Sequence, residues 1–288
     1  MHNGFILATY DARMAELGAA TKKLNLGQSG LRQHDYDTVL DWLVANKPPK
    51  LRHLFIELHA WVQGPRNKNW MTAHEIEIHS IKHLPTRLHS IAIDKNGWGT
   101  KCGHATHAIL HSLANYLRVG QAPRIVDALA RRACNRSPWA VRALPDAGWL
   151  ELSQVTVSNK KRLEQHIKWL ADPAPALRGL ANKRKDLEPP SHRGGFNVAG
   201  FRSQVARLRA CGIEPIYVVM PHYAFNFYGR DGLREVRDEV TILEFDVVSE
   251  NEALHEFSRW FDWAHMMKPG AELLSRQLAD RVHAIDKK

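Results

Sequence analysis

The sequence predicts an α/β fold: one three-layer α/β/α domain over residues 1–288 with a mainly parallel sheet. Three observations carry that expectation. Helical stripes alternate with short apolar runs at both ends of the chain, with glycine or proline between them. The first such strand, helix, strand series is a βαβ unit, whose crossover implies parallel pairing. A chain of 288 residues with 44% hydrophobic content can also bury a full core around one sheet.

Residues Ala8 to Leu17 read as a short helix with Met14 and Leu17 on one face. Lys23 to Leu26 is a short extended run that stops at Gly27-Gln28-Ser29-Gly30. From Asp35, the spacing of Tyr36, Val39, Leu40, Leu43 and Val44 is helical, and Asn46-Lys47-Pro48-Pro49 ends it. Leu51 to Leu58 reads as a mostly buried strand. The stretch 66–190 is an insertion of uncertain fold, with helical candidates at Ala105 to Leu117, Ile125 to Cys134 and Lys160 to Leu170, then a Pro, Gly and Lys-rich section ending at Pro189-Pro190. Such an insertion commonly walls the active site of an α/β enzyme. Beyond it, Val198, Phe201, Val205, Leu208 and Ala210 form a helical stripe that Gly212 closes. Ile213 to Met220 is the clearest strand, Thr241 to Phe245 a further one, and Ala271 to Ile285 a final amphipathic helix. The sheet is therefore expected to contain residues 22–26, 51–58, 213–220 and 241–245.

Composition narrows the function classes. No run approaches the ~18 apolar residues of a membrane helix, and Asp11, Arg13 and Glu16 interrupt the stretch where a signal peptide would need its apolar core. The chain as it stands reads as soluble and cytoplasmic, and as an envelope or periplasmic protein if a signal or membrane segment precedes it. Cys102, Cys134 and Cys211 are odd in number and widely spaced, which suggests neither a disulfide framework nor a four-cysteine zinc site. The formal charge of +10 suits nucleic acid, anionic lipid or an anionic polysaccharide, and constrains partners only loosely. Its richest patch, Lys160 to Lys185, lacks the interleaved aromatics of a base-stacking surface and reads better as a solvated helix face or loop.

The residues that could carry chemistry collect where open parallel sheets place them, beyond the carboxyl ends of the strands. These are Gly27 to Gly30, the loop after Leu58, Pro221-His222, and the turn at Asp262 and His265. A carboxylate at Asp262 can accept from His265 Nδ1, fixing the tautomer whose Nε2 takes a proton from a serine. The alternative is that both residues merely cap the last helix. His104, His107 and His111 fall on one face of a helical candidate and could hold zinc, but 17 histidines make chance clusters common, so packing is the better reading. His74 and His79 are one residue too far apart for a zincin helix. Trp61, Trp70 and Trp98 could stack on sugar faces, with ordinary core packing the stronger reading of each.

Several segments agree, in order, with a known family. Leu24-Asn25-Leu26-Gly27-Gln28-Ser29-Gly30, Leu54-Phe55-Ile56-Glu57-Leu58, Gly212 through Pro221, Asp262-Trp263-Ala264-His265 and Lys268-Pro269-Gly270-Ala271 together resemble the SGNH (GDSL-like) hydrolase superfamily. The closest likeness is to its bacterial branch of polysaccharide O-acyltransferases and esterases. The resemblance covers the two ends of the chain and leaves the middle unassigned. It implies a flavodoxin-like fold, an acylated carbohydrate or polysaccharide as substrate, and no cofactor. It makes His265 the base, Asp262 its orienting carboxylate and Gly27 an oxyanion donor. The family's Gly-x-Asn-Asp block is not matched after Leu58, where the chain has His59-Ala60-Trp61-Val62-Gln63-Gly64. Family members carry a strand and Gly-x-Ser ahead of a segment similar to Met1-His2-Asn3-Gly4-Phe5, so the chain reads as an SGNH fold lacking its first strand and its nucleophile. Ser29 is a poor substitute, since it follows the second family strand.

These readings make the chain an SGNH-type esterase or O-acyltransferase that is inactive and poorly stable as it stands. They also predict either a strand-sized gap between 22–26 and 51–58 or a loosely packed closure of the two. A non-catalytic carbohydrate-binding or interaction protein on the same fold and a basic nucleic-acid binder are the alternatives.

Overall fold

The computed structural model describes residues 5–19, 36–58, 79–93, 97–119, 160–185, 198–223 and 230–287. Its elements in chain order are α1 (Leu7–Glu16), α2 (Tyr36–Asn46), β1 (His53–Glu57), α3 (Leu84–Ile93), α4 (Trp98–Tyr116), α5 (Lys160–Ala171), α6 (Ala174–Arg184), α7 (Val198–Arg209), β2 (Glu214–Val219), α8 (Arg230–Val236), β3 (Thr241–Glu244) and α9 (Lys268–Asp286).

The described sheet is parallel, three-stranded and ordered β1-β2-β3, with Phe55 opposite Ile216 and Ile216 opposite Thr241. Its ladders run one residue past the strands, through Leu58 N–H to Val218 O at 2.8 Å and Phe245 N–H to Val219 O at 3.0 Å. The central strand is covered on both faces. Ile216 and Val218 point into one core with Phe55, Leu243 and Phe245, filled by Tyr10 and Met14 of α1, Trp169 of α5, Leu180 of α6 and Leu274, Leu278 and Val282 of α9. Tyr217 and Val219 point into the other with Ile56 and Leu58, against Leu40 and Leu43 of α2, Phe201, Val205 and Leu208 of α7, and Leu233 and Val236 of α8. Each such side chain contributes about 1.5–3 kcal/mol on burial, and strand alternation alone divides them between the two faces.

Local signals explain the element ends. Gly212 has φ 74°, the left-handed conformation that stops α7, with Gly212 N–H on Arg209 O and Ile213 N–H on Leu208 O. Pro269 sits in the first turn of α9, where its missing N–H costs nothing.

The helices and sheet segments expected from sequence agree wherever the described residues cover them. The expected strand 22–26 and helix 125–134 lie outside the described residues, so the predicted gap beside β1 lies outside them too. Within the stretch whose fold the sequence leaves open there are α3 and α6 besides the expected α4 and α5, and α4 begins at Trp98 rather than Ala105. Pro173 and Pro175 disguised α6, yet both stand at its start, where proline is tolerated. Gly99 and Gly103 hid the first two turns of α4.

Strand direction fixes the useful end of the sheet. His53, which begins β1, approaches Asp286 at the end of α9, with Nε2 to Oδ1 at 3.7 Å. The beginning of α9 therefore lies toward the carboxyl end of the strands. Helix α1 runs parallel to it, since Ile6 N–H donates to Ser275 Oγ at 2.8 Å while Arg13 Nε donates to Asp280 Oδ1 at 2.7 Å. Both helices thus start from the same side of the molecule.

Candidate active site

The chain between β3 and α9 is held as a series of short turns before it reaches the site. Trp260 is buried and donates from Nε1 to Leu254 O at 2.7 Å. An antiparallel bridge joins Trp260 to Met266, flanked by Phe261 N–H to His265 O and Met267 N–H to Arg259 O, both 2.8 Å. These bonds pinch residues 261–265 into a closed turn. Tyr223, four residues beyond the end of β2, donates its N–H to Trp263 O at 3.1 Å and fastens the turn to the carboxyl end of the sheet.

Within this turn His265 Nδ1 donates to both carboxylate oxygens of Asp262, at 2.7 and 2.9 Å. Oδ1 also accepts Ala264 N–H at 2.9 Å and His265 N–H at 3.0 Å. Burial works against ionisation of Asp262, but the bonds from His265 and Ala264 outweigh it and hold the carboxyl below its usual range. The proton therefore sits on Nδ1, and Nε2 keeps its lone pair with no hydrogen-bond partner among the described residues. The imidazole is about one-third exposed, with 30% of its side-chain surface accessible. A half-buried, ionised acid, a fixed tautomer and an accessible second nitrogen are the parts of a general base.

The capping alternative does not hold. The cap position of α9 is Met267, which makes no side-chain cap bond, and the Asp262 carboxylate is spent on the turn and the imidazole.

Residues that the sequence reading passed over support the turn from behind. His166 of α5 stacks on Phe261, with ring centroids 4.1 Å apart, and bonds Phe261 O through Nδ1 at 2.8 Å. Trp169, one turn further on, meets Trp263 edge-on at 5.0 Å and stacks on Phe257 at 4.9 Å. Lys183 of α6 is buried and donates from Nζ to His222 O at 2.6 Å and to His255 Nε2 at 3.2 Å. His255 in turn faces Asn251 O through Nδ1 at 3.1 Å. Burial, and then the charge of Lys183, pushes this imidazole down to about 4, so it is neutral at physiological pH. These partners are 39 to 95 residues apart in sequence, and the sequence marked their segments, the helical candidate holding His166 and Trp169, the basic patch holding Lys183 and the loop at Pro221-His222, but not their contacts with the turn.

Gly27, Ser29, Trp61 and Trp70 lie outside the described residues. Trp98 is exposed at the start of α4. His107 and His111 are brought together at 3.8 Å between ring centroids, and their third neighbour is His79 rather than His104. Among the described residues no group of histidine, cysteine or acidic side chains has the geometry to hold a metal. Neither a family profile, nor a curated protein, nor a solved structure matches the chain.

Proposed function

We propose that the protein derives from SGNH-type serine esterases or O-acyltransferases and acts on acylated carbohydrate. The observation that carries the reading is the two-point bond from His265 Nδ1 to an ionised Asp262 beside the carboxyl end of a parallel sheet, with Nε2 left open. In this reading Nε2 takes the proton of a serine hydroxyl as its oxygen attacks the acyl carbonyl, and Asp262 stabilises the imidazolium that forms. Gly27, outside the described residues, is the proposed amide donor to the tetrahedral oxyanion. The imidazolium then returns its proton to the departing sugar oxygen as the acyl C–O bond to it breaks, and water or a second sugar hydroxyl, losing its proton to Nε2, takes the acyl group from the serine, completing hydrolysis or transfer.

No described residue places a hydroxyl on Nε2. The family's position for the serine is the end of a strand that feeds the helix corresponding to α1. Two features support that correspondence: α1 starts from the same side as α9, and β1 pairs on only one edge among the described residues. The test is burst release from p-nitrophenyl acetate by the protein expressed with any coding sequence upstream of residue 1. The expected result is one acyl group per chain, with the burst abolished by His265→Ala and slowed about 10²–10⁴-fold by Asp262→Asn. A burst that survives His265→Ala, or sugar binding without any burst, would overturn the reading, the second result favouring a non-catalytic carbohydrate-binding protein.

A further inference from the structure

The peptide group between Phe261 and Asp262 stands directly before the carboxylate of the dyad, and both of its ends are tied. Asp262 N–H turns inward toward His265 O at 3.5 Å, beside the shorter bond from Phe261 N–H to the same oxygen at 2.8 Å. At the other end, Phe261 O accepts from Nδ1 of His166, 95 residues away in α5, at 2.8 Å. A carbonyl has no proton to give, so Nδ1 of His166 carries it. The Phe261 ring aims this imidazole, which lies flat on it at 4.1 Å and within 6° of parallel. Trp169, one turn further along α5, is buried and stacks on Phe257, which sets the helix against the same segment.

We propose that His166 is a positioning residue for the Asp262–His265 pair: its hydrogen bond fixes the peptide plane from which the Asp262 side chain projects, and so keeps the proton of His265 on Nδ1. Phe261 is 2% exposed. Deprived of its donor, the buried carbonyl must either stay unsatisfied or turn toward water, and turning it carries Asp262 along. That movement is costly to the dyad because Asp262 Oδ1 serves three donors at once, Ala264 N–H, His265 N–H and His265 Nδ1. Which imidazole nitrogen holds the proton is set by the partner of the other, so a displaced carboxylate releases the tautomer. The stack alone cannot do this, since ring packing steers the His166 side chain but leaves the carbonyl without a donor. The inference takes the dyad of the proposed reading as its object. Its test reads the imidazole rather than the reaction, so it can fail while the acyl burst stands and hold where no burst is found.

The test is nitrogen NMR of the full chain labelled at histidine, recorded at alkaline pH, where the ring nitrogen shifts report the tautomer. The His265 signals are assigned by their loss in His265→Ala. Three variants separate the bond from the stack: His166→Phe keeps a ring on Phe261 without the donor, His166→Asn keeps a donor at the place of Nδ1 without the ring, and His166→Ala keeps neither. Wild type is expected in the Nδ1–H form. His166→Phe and His166→Ala should each raise the ratio of the Nε2–H to the Nδ1–H form of His265 by about fivefold or more, the effect of one lost hydrogen bond, while His166→Asn stays within about twofold of wild type. A packing role alone would lower the melting temperature of all three and leave the tautomer where it was. An unchanged tautomer in His166→Ala, or a tautomer that follows the ring rather than the donor, would overturn the proposal. If His166→Phe does not fold, His166→Ala against His166→Asn decides it in the same way.

Discussion

A single imidazole shows how position decides what a histidine does. His265 has an acid on one nitrogen and access on the other, whereas His255 has a backbone carbonyl on one nitrogen and a lysine ammonium on the other. The second arrangement admits no further proton. Folding holds His255 near 4 against an ordinary 6.5, so between these values the unfolded chain binds the proton that the folded chain refuses. Stability is therefore expected to fall as pH drops from about 6.5 toward 4, by up to ~3 kcal/mol from this group. Chemical denaturation of wild type and His255→Asn across that range checks it: the variant should start less stable and show a shallower slope. Identical slopes would exclude His255 as the titrating group. Tyr217 offers a simpler case. Its hydroxyl is buried in the α2/α7 core with no hydrogen-bond partner among the described residues, and burial pushes its ionisation upward. Removing an unpaired buried polar group should be neutral or stabilising, so Tyr217→Phe is expected to raise stability by up to ~1 kcal/mol in a urea melt, and a loss of more than that would reveal a missed partner.

At the scale of elements, the turn that carries the dyad depends on how closely α9 approaches the strand-like segment before it. A Cβ on Gly270 would stand 2.8 Å from Arg259 O and 3.2 Å from Arg259 Cβ. Neither atom can move freely, because Arg259 O also accepts Met267 N–H. Gly270→Ala is therefore expected to cost about 1–3 kcal/mol and to loosen the 261–265 turn. The readout is a lower melting temperature together with faster solvent exchange of the His265 Nδ1 proton than in wild type; a variant as stable as wild type would show that the approach is not constrained. The same elements show what sequence can and cannot disclose. β2 was legible because five successive residues must be apolar when both faces are covered. Asp262 and His265 were legible because three residues suffice for a local turn to join them. The grip of α5 on that turn was not, because the bond from His166 to Phe261 spans 95 residues and only the folded chain brings them together. Helix α6 was illegible for a different reason: its prolines argue against a helix everywhere except at the start.

Across the whole molecule, attachment is uneven. The two large cores join α1, α2 and α5 through α9 to the sheet, and neither includes a residue of α3 or α4. That helical pair buries Ile91, Ala108 and Ala114 among Arg87, His107, His111 and Ser112, a small and polar interior. One link from it to the body, through the turn before α3, is ionic. Asp41 of α2 accepts from Lys82 Nζ at 2.9 Å and His83 Nε2 at 2.7 Å, just before α3, and also from Arg207 of α7. Burial opposes ionisation of Asp41, but these donors prevail and hold its carboxyl below the ordinary 3.8. Its contribution to stability is thus complete above that value and lost as pH falls through the depressed folded one. Among the described residues the pair shares no buried apolar cluster with the sheet, and a unit attached in that way opens locally before the molecule unfolds globally. Native-state hydrogen exchange should accordingly find α3 and α4 less protected than β2 and α7. Asp41→Asn should speed exchange in α3 and α4 by roughly five- to thirtyfold, corresponding to about 1–2 kcal/mol, while slower-exchanging sheet amides change less. Equal protection across both parts, or a uniform effect of Asp41→Asn on every amide, would mean that the helical pair unfolds only with the sheet and that the ionic link is not what holds it.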